Sequence, residues 1–157
     1  MPILNKQDKQ EVKRYEEYIK NYDGASLMQS LNWAKVKNNW IQEAVFLEEG
    51  GIIIAAITLL LEKIPYTNYY FMYAPRGPVC NIYDIELVKR LIKEVELLKE
   101  KYKIFLFKFD PNVVYNEKLE IMYKEAGFNV LNKNMDKDDL IQPLHDMVLD
   151  ISNISKE

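Results

Sequence analysis

The chain has 157 residues, is 48% hydrophobic and 29% charged, and carries a net charge of −3 with a pI near 5.4; this fits one soluble globular domain with a real core and excludes a global basic field that would hold nucleic acid. One cysteine, Cys80, and one histidine, His145, exclude an internal disulfide and any familiar zinc site, and suit a reducing, cytoplasmic compartment. The start, "MPILNKQDKQ", turns polar too soon for a signal peptide, and the longest apolar run, "GIIIAAITLLL", is too short to span a bilayer.

Residues 8–20 place Val12, Tyr15 and Ile19 at helical spacing between charges, the pattern of an amphipathic helix. Ser30 is a plausible N-cap for a second helix over 31–40, "LNWAKVKNNW", which holds both tryptophans, Trp33 and Trp40. Residues 43–48 and 52–61 read as an antiparallel hairpin turned by Gly50 and Gly51; the second run is apolar without alternation, as a central strand should be. "NYYFMYA" predicts a third strand, stopped by "PRGP". Asp84 caps a long helix carrying Val88, Leu91, Ile92, Val95 and Leu98. "KIFLFKFD" is a strand ended by Pro111, and residues 116–126 form a helix followed by Gly127. "FNVLN" and "HDMVLDI" predict late strands around the polar "KNMDKDD". The order implies a mixed α/β sheet with helices on both faces. The end follows a strand closely and reads as if the chain once continued.

Three residues stand out. If 31–40 is one helix, Lys37 lies at about +40° from Trp33 and Lys35 near 200°. Lys35 is then solvated, while Lys37 sits at the edge of the tryptophan stripe, either snorkelling or meeting an anion. Asp110 ends the strand "KIFLFKFDP", whose face Phe105, Phe107, Phe109 stays apolar while Ile104, Leu106, Lys108, Asp110 turns charged at the carboxyl end, where ligands collect in open α/β sheets. It is a ligand-facing carboxylate or a turn former before proline. Arg76 lies between prolines in "YAPRGPV", on a stiff loop that loses little entropy on binding, or in an ordinary exposed turn. No phosphate-loop or dinucleotide fingerprint is present. His145 has no nucleophile pattern nearby and reads as a surface residue.

"QSLNWAKVKNNW", "IIAAITLLL", "YAPRGPV", "FKFDP" and "IQPLHDMVLDIS", in this order, resemble the Fem (FemABX) family of non-ribosomal aminoacyltransferases; "MPILN" and "RYEEYI" are similar to its FemX-like branch. The resemblance implies two domains similar to Gcn5-related N-acetyltransferases, packed across a cleft. Residues 1–157 match the first, precursor-binding domain, and the second is absent, so the isolated chain is expected to be inactive. The family moves an amino acid from aminoacyl-tRNA to the stem-peptide amine of a UDP-MurNAc-pentapeptide or lipid-linked precursor of peptidoglycan. The chain also lacks the Q/R-x-x-G-x-G/A loop that holds a CoA pyrophosphate in true acetyltransferases. No cofactor is expected, and a stand-alone acetyltransferase is disfavoured.

Carried over by this resemblance, Lys37 contacts the precursor's diphosphate and Asp110 positions the acceptor amine or accepts its proton. Arg76 falls where the family loop varies, which leaves its substrate-binding role open. The tRNA is expected to meet the absent domain, and the face that domain would cover could self-associate. The other open reading is a non-catalytic module that binds a cell-wall precursor or a protein.

Overall fold

The computed structural model describes residues 2–131, with only the backbone described at Ala34. Four strands, β1 (Ile41–Glu49), β2 (Ile52–Lys63), β3 (Tyr70–Ala74) and β4 (Ile104–Phe109), form one sheet in the order β1-β2-β3-β4. The first two pairings are antiparallel, and β3 and β4 run parallel. Gly50 and Gly51, with φ of 57° and 81°, make the two-residue turn between β1 and β2, a left-handed conformation that costs glycine nothing. Residues 2–4 lie along the outer edge of β1, where Leu4 N–H donates to the Ala44 carbonyl and Phe46 N–H to that of Pro2.

Helices cover both faces, as the sequence predicts. α1 (Lys9–Asn21) starts at Asp8, whose carboxylate accepts the N–H groups of Gln10 and Glu11, satisfying donors that a helix start leaves orphaned. Tyr15 and Ile19 of α1 pack with Ala44, Phe46 and Ala56. On the other face, Val88, Leu91 and Val95 of α3 (Ile85–Val95) and Leu119 and Tyr123 of α4 (Glu117–Glu125) pack with Ile57, Leu59 and Leu61. β2 therefore needs apolar side chains on both sides, which is why its sequence does not alternate. Each such large side chain contributes about 1.5–3 kcal/mol by leaving water. Asp84 caps α3 by accepting the Leu87 N–H, and Asn116 caps α4 through those of Lys118 and Leu119.

Three expectations are corrected. The helix over 31–40 is one turn only, α2 (Trp33–Val36), preceded by a 3-10 turn at Leu27–Gln29. Asn38 and Asn39 lie in a turn, a conformation their side chains favour, and the chain must be extended again by Ile41. A single turn has no cooperative stability of its own. Ser30 closes the 3-10 turn and accepts the Asn32 N–H through Oγ. Val36, the last residue of this turn, is 65% exposed. In β4 the register slips between Tyr70 and Phe71, so that Tyr70 pairs with Ile104 and Phe71 with Leu106. The slip leaves Phe105 unpaired and 71% exposed, and puts Ile104 with Phe107 and Phe109 against the α3 core. "FNVLN" makes no strand over 128–131, although Phe128 and Val130 pack on the core; "KNMDKDD" and "HDMVLDI" lie outside the described residues.

Candidate functional site

The carboxyl end of β3 carries the unusual backbone. Leu60 pairs with Tyr73, and beyond the break Ala56 pairs with Val79, so the interval Ala56–Leu60 of β2 faces the longer interval Tyr73–Val79. The surplus residues bulge out as Pro75-Arg76-Gly77-Pro78, with a cis Gly77–Pro78 bond. Arg76 sits in the bulge with φ of 54°, a left-handed conformation that costs a side-chain-bearing residue about 1–2 kcal/mol and persists only where its surroundings hold it.

What holds it is Asp110. The Arg76 N–H donates to Oδ1 of Asp110 at 2.8 Å, tying the bulge to the end of β4. The buried Tyr73 hydroxyl lies near enough to this carboxyl to favour its charged form. Burial raises the Asp110 carboxyl above its ordinary range; the Arg76 N–H, the Tyr73 hydroxyl and the Arg76 charge oppose that rise without cancelling it. The result is a half-buried carboxylate with a fixed orientation. It is suited to receiving an ammonium group, and the structure binds it to the 75–78 loop rather than to a local turn at Pro111.

Asp110 continues a row of aromatic rings. Met72 and Ala74 face the α3 core, so Phe71 and Tyr73 point to the opposite face. Their rings stack at 6.2 Å, and Trp40 meets Phe71 edge to face at 6.3 Å. Trp40 to Phe71 to Tyr73 to Asp110 thus runs from the tryptophan stretch to the end of β4. Lys108 shares this face beside Tyr73 and is half-buried.

Lys37 stands where this row begins. It is the residue after α2: its N–H donates to the Trp33 carbonyl, and its own carbonyl accepts the Trp40 N–H. Two consecutive turns therefore fix its main chain, not a continuous helix, and the helical angles expected for it do not apply. Its side chain is exposed and makes no hydrogen bond or ion pair among the described residues. Lys35 is engaged, with Nζ donating to Asn32 Oδ1 at 2.7 Å. Arg76 and Asp110 are in direct contact, whereas Lys37 joins them only through the aromatic row. Arg76 also lines a groove of about 220 Å³ with residues 22–25 that follow α1, residues 78–83, Asn112 and Val113; Lys37 and Asp110 are not among its lining residues. Asn112 Nδ2 donates to the Gly24 carbonyl across this end of the fold.

Sequence reasoning missed Tyr73 and Gln29. Tyr73 was one tyrosine in a strand rich in them, and only the register sets it beside Asp110. Gln29 had a weak signal, an amide next to the tryptophan stretch, but its burial depends on contacts with β2 and the bulge.

Residues 10–156 match the FemAB family. The chain belongs to that family. It is 38% identical over 156 residues, 97% of its length, to the UDP-N-acetylmuramoylpentapeptide-lysine N(6)-alanyltransferase of Weissella viridescens, of which it covers 46%. This FemAB-family chain therefore spans about half the length of that relative. The crystal structure of FemX superposes with a TM-score of 0.71 at 22% identity, covering 88% of this chain and 35% of that one. An aminoglycoside 6′-N-acetyltransferase of Acinetobacter haemolyticus superposes at 0.54 with 16% identity, covering 90% of this chain and all of that one. The fold is thus that of the acetyltransferases and of FemX. Among the described residues no helix is long and apolar enough to cross a membrane.

Proposed function

We propose that this FemAB-family chain is the precursor-binding part of an aminoacyltransferase of peptidoglycan bridge synthesis. The enzyme would move an amino acid from aminoacyl-tRNA to the stem-peptide amine of UDP-MurNAc-pentapeptide or its lipid-linked counterpart, in the cytoplasm. In that reaction the neutral amine attacks the aminoacyl ester, the ester C–O bond breaks, an amide C–N bond forms, and the tRNA hydroxyl leaves with a proton. An amine of ordinary pKa arrives as ammonium and has to be held before it loses that proton.

The observation that carries the reading is the 38% identity, spread over 97% of the chain, to an alanyltransferase named for that acceptor. The geometry is compatible with it. Asp110 would receive the acceptor ammonium; its engaged carboxylate suits positioning better than proton abstraction. Lys37, exposed and uncommitted among the described residues, would meet the precursor's diphosphate through charge-assisted bonds. Arg76 would add its guanidinium at the groove beside the bulge. The aminoacyl-tRNA would be met mainly by parts of the enzyme outside this chain. Titration calorimetry with UDP-MurNAc-pentapeptide tests the reading. Saturable binding that weakens as salt rises is expected; no heat at millimolar precursor would overturn it.

A further inference from the structure

Gln29 is fully buried, and its carboxamide lies between β2 and the bulge. Oε1 accepts the Thr58 N–H at 2.8 Å, while Nε2 donates to the Pro75 carbonyl at 2.7 Å and to the Thr58 carbonyl at 3.3 Å. Continuing the β2–β3 register from Leu60 and Tyr73 would set Thr58 opposite Pro75, yet proline has no N–H to give. The side-chain amide replaces the missing peptide: it offers one acceptor and one donor to the strand, and passes a second hydrogen bond to the departing chain. The exchange leaves neither the N–H nor the carbonyl of Thr58 unpaired inside the fold.

The main chain of Gln29 is itself held in place. The Thr58 hydroxyl donates to the Gln29 carbonyl at 2.5 Å and bonds to the Tyr15 hydroxyl at 2.7 Å, so α1, the 3-10 turn and β2 close on one point. On the loop side, a Cβ built on Gly77 would lie 2.7 Å from Cδ, Oε1 and Nε2 of Gln29. Gly77 therefore rests directly on the amide, one residue beyond Arg76. The wedge fits the extra length of Tyr73–Val79 between two fixed pairings, and so determines where Arg76 can present its N–H.

We propose that Gln29 is a positioning residue: its amide wedges β3 away from β2 and sets the bulge that places Arg76 against Asp110. For catalysis this rests on the precursor-binding reading above; for geometry it does not. Gln29 touches neither Asp110 nor any substrate. It acts through Pro75 and Gly77 on the backbone that meets the carboxylate.

Two variants of the full chain test this, with amide hydrogen exchange read by NMR and precursor affinity by calorimetry. Gln29→Leu keeps bulk and removes the amide. Gly77→Ala leaves the amide in place and pushes on it from the loop. In both, exchange at the Arg76 amide should speed up by about tenfold or more relative to β1–β2 ladder amides, which serve as the control for general loosening. Affinity for UDP-MurNAc-pentapeptide should fall in parallel. If Gln29→Leu does not fold, Gly77→Ala decides alone. Unchanged Arg76 exchange in a folded variant overturns the positioning role, as does a rise shared equally with the ladder amides. If the unmodified chain binds no precursor, the functional reading above fails while the exchange data still judge Gln29.

Discussion

The backbone N–H of Arg76 and Oδ1 of Asp110 are 2.8 Å apart, although 34 residues separate them in sequence. A bond from an amide to a charged carboxylate contributes about 1.5–3 kcal/mol, enough to offset the left-handed backbone at Arg76. The loop after β3 and the end of β4 are therefore one unit, and whatever disturbs the carboxylate disturbs the loop.

Asp110→Asn separates charge from hydrogen bonding. The carboxyl titrates above its ordinary 3.8, chiefly because it is buried. Between the ordinary and the raised value the folded state holds more protons than the unfolded one, so stability falls as pH rises through that window. Its contribution is full below the ordinary value and gone above the raised one. Asn keeps an oxygen for the Arg76 N–H and carries no charge. The variant should match the parent at low pH and melt higher at neutral pH, while losing acceptor positioning. Thermal melts of both proteins across the acid range check this; parallel curves would contradict it.

Lys37 and Lys35 are neighbouring lysines of unlike environment. Lys37→Ala is expected to weaken binding of UDP-MurNAc-pentapeptide by about ten- to a hundredfold, the worth of one charge-assisted contact. Lys35→Ala removes only an exposed bond to Asn32 and should change affinity by less than about twofold. Calorimetry at low salt compares the two. Equal losses would reduce the effect to general electrostatics, and no loss for Lys37→Ala would leave it a solvated lysine.

Glu43 anchors the far end of the sheet. Its buried carboxylate accepts Lys101 Nζ at 2.7 Å and the Tyr102 hydroxyl at 2.6 Å, with Lys6 Nζ at 3.5 Å. Burial works against its charge, but these partners outweigh burial and hold its pKa below the ordinary 4.5. Its contribution is present above the ordinary value and lost as pH falls through the lowered one. Glu43→Ala should cost about 1.5–3 kcal/mol at neutral pH, with the deficit shrinking in acid. Urea titrations at neutral and acid pH measure the difference; a deficit independent of pH would mean that only packing was lost.

Most elements are legible in the sequence because local chemistry dictates them. Asp8, Asp84 and Asn116 are caps that satisfy their own helix starts, Gly50-Gly51 supplies a turn that only such residues make cheaply, and the unbroken apolar run of β2 announces burial on both faces. The motifs around Lys37, Arg76 and Asp110 likewise lead to the FemAB family without a structure. The rest required the tertiary fold. "LNWAKVKNNW" has the spacing of a helix, but one turn without a packed stripe cannot resist the strand that starts at Ile41. Phe105 has the right parity for the core, but a slip in pairing with β3 turns it outward, and no local signal encodes a register. The contact between Arg76 and Asp110, and the place of Gln29 between β2 and the bulge, join segments far apart in the chain. They exist only once the sheet has brought those segments together, because hydrogen-bond complementarity between distant backbones is a property of the fold.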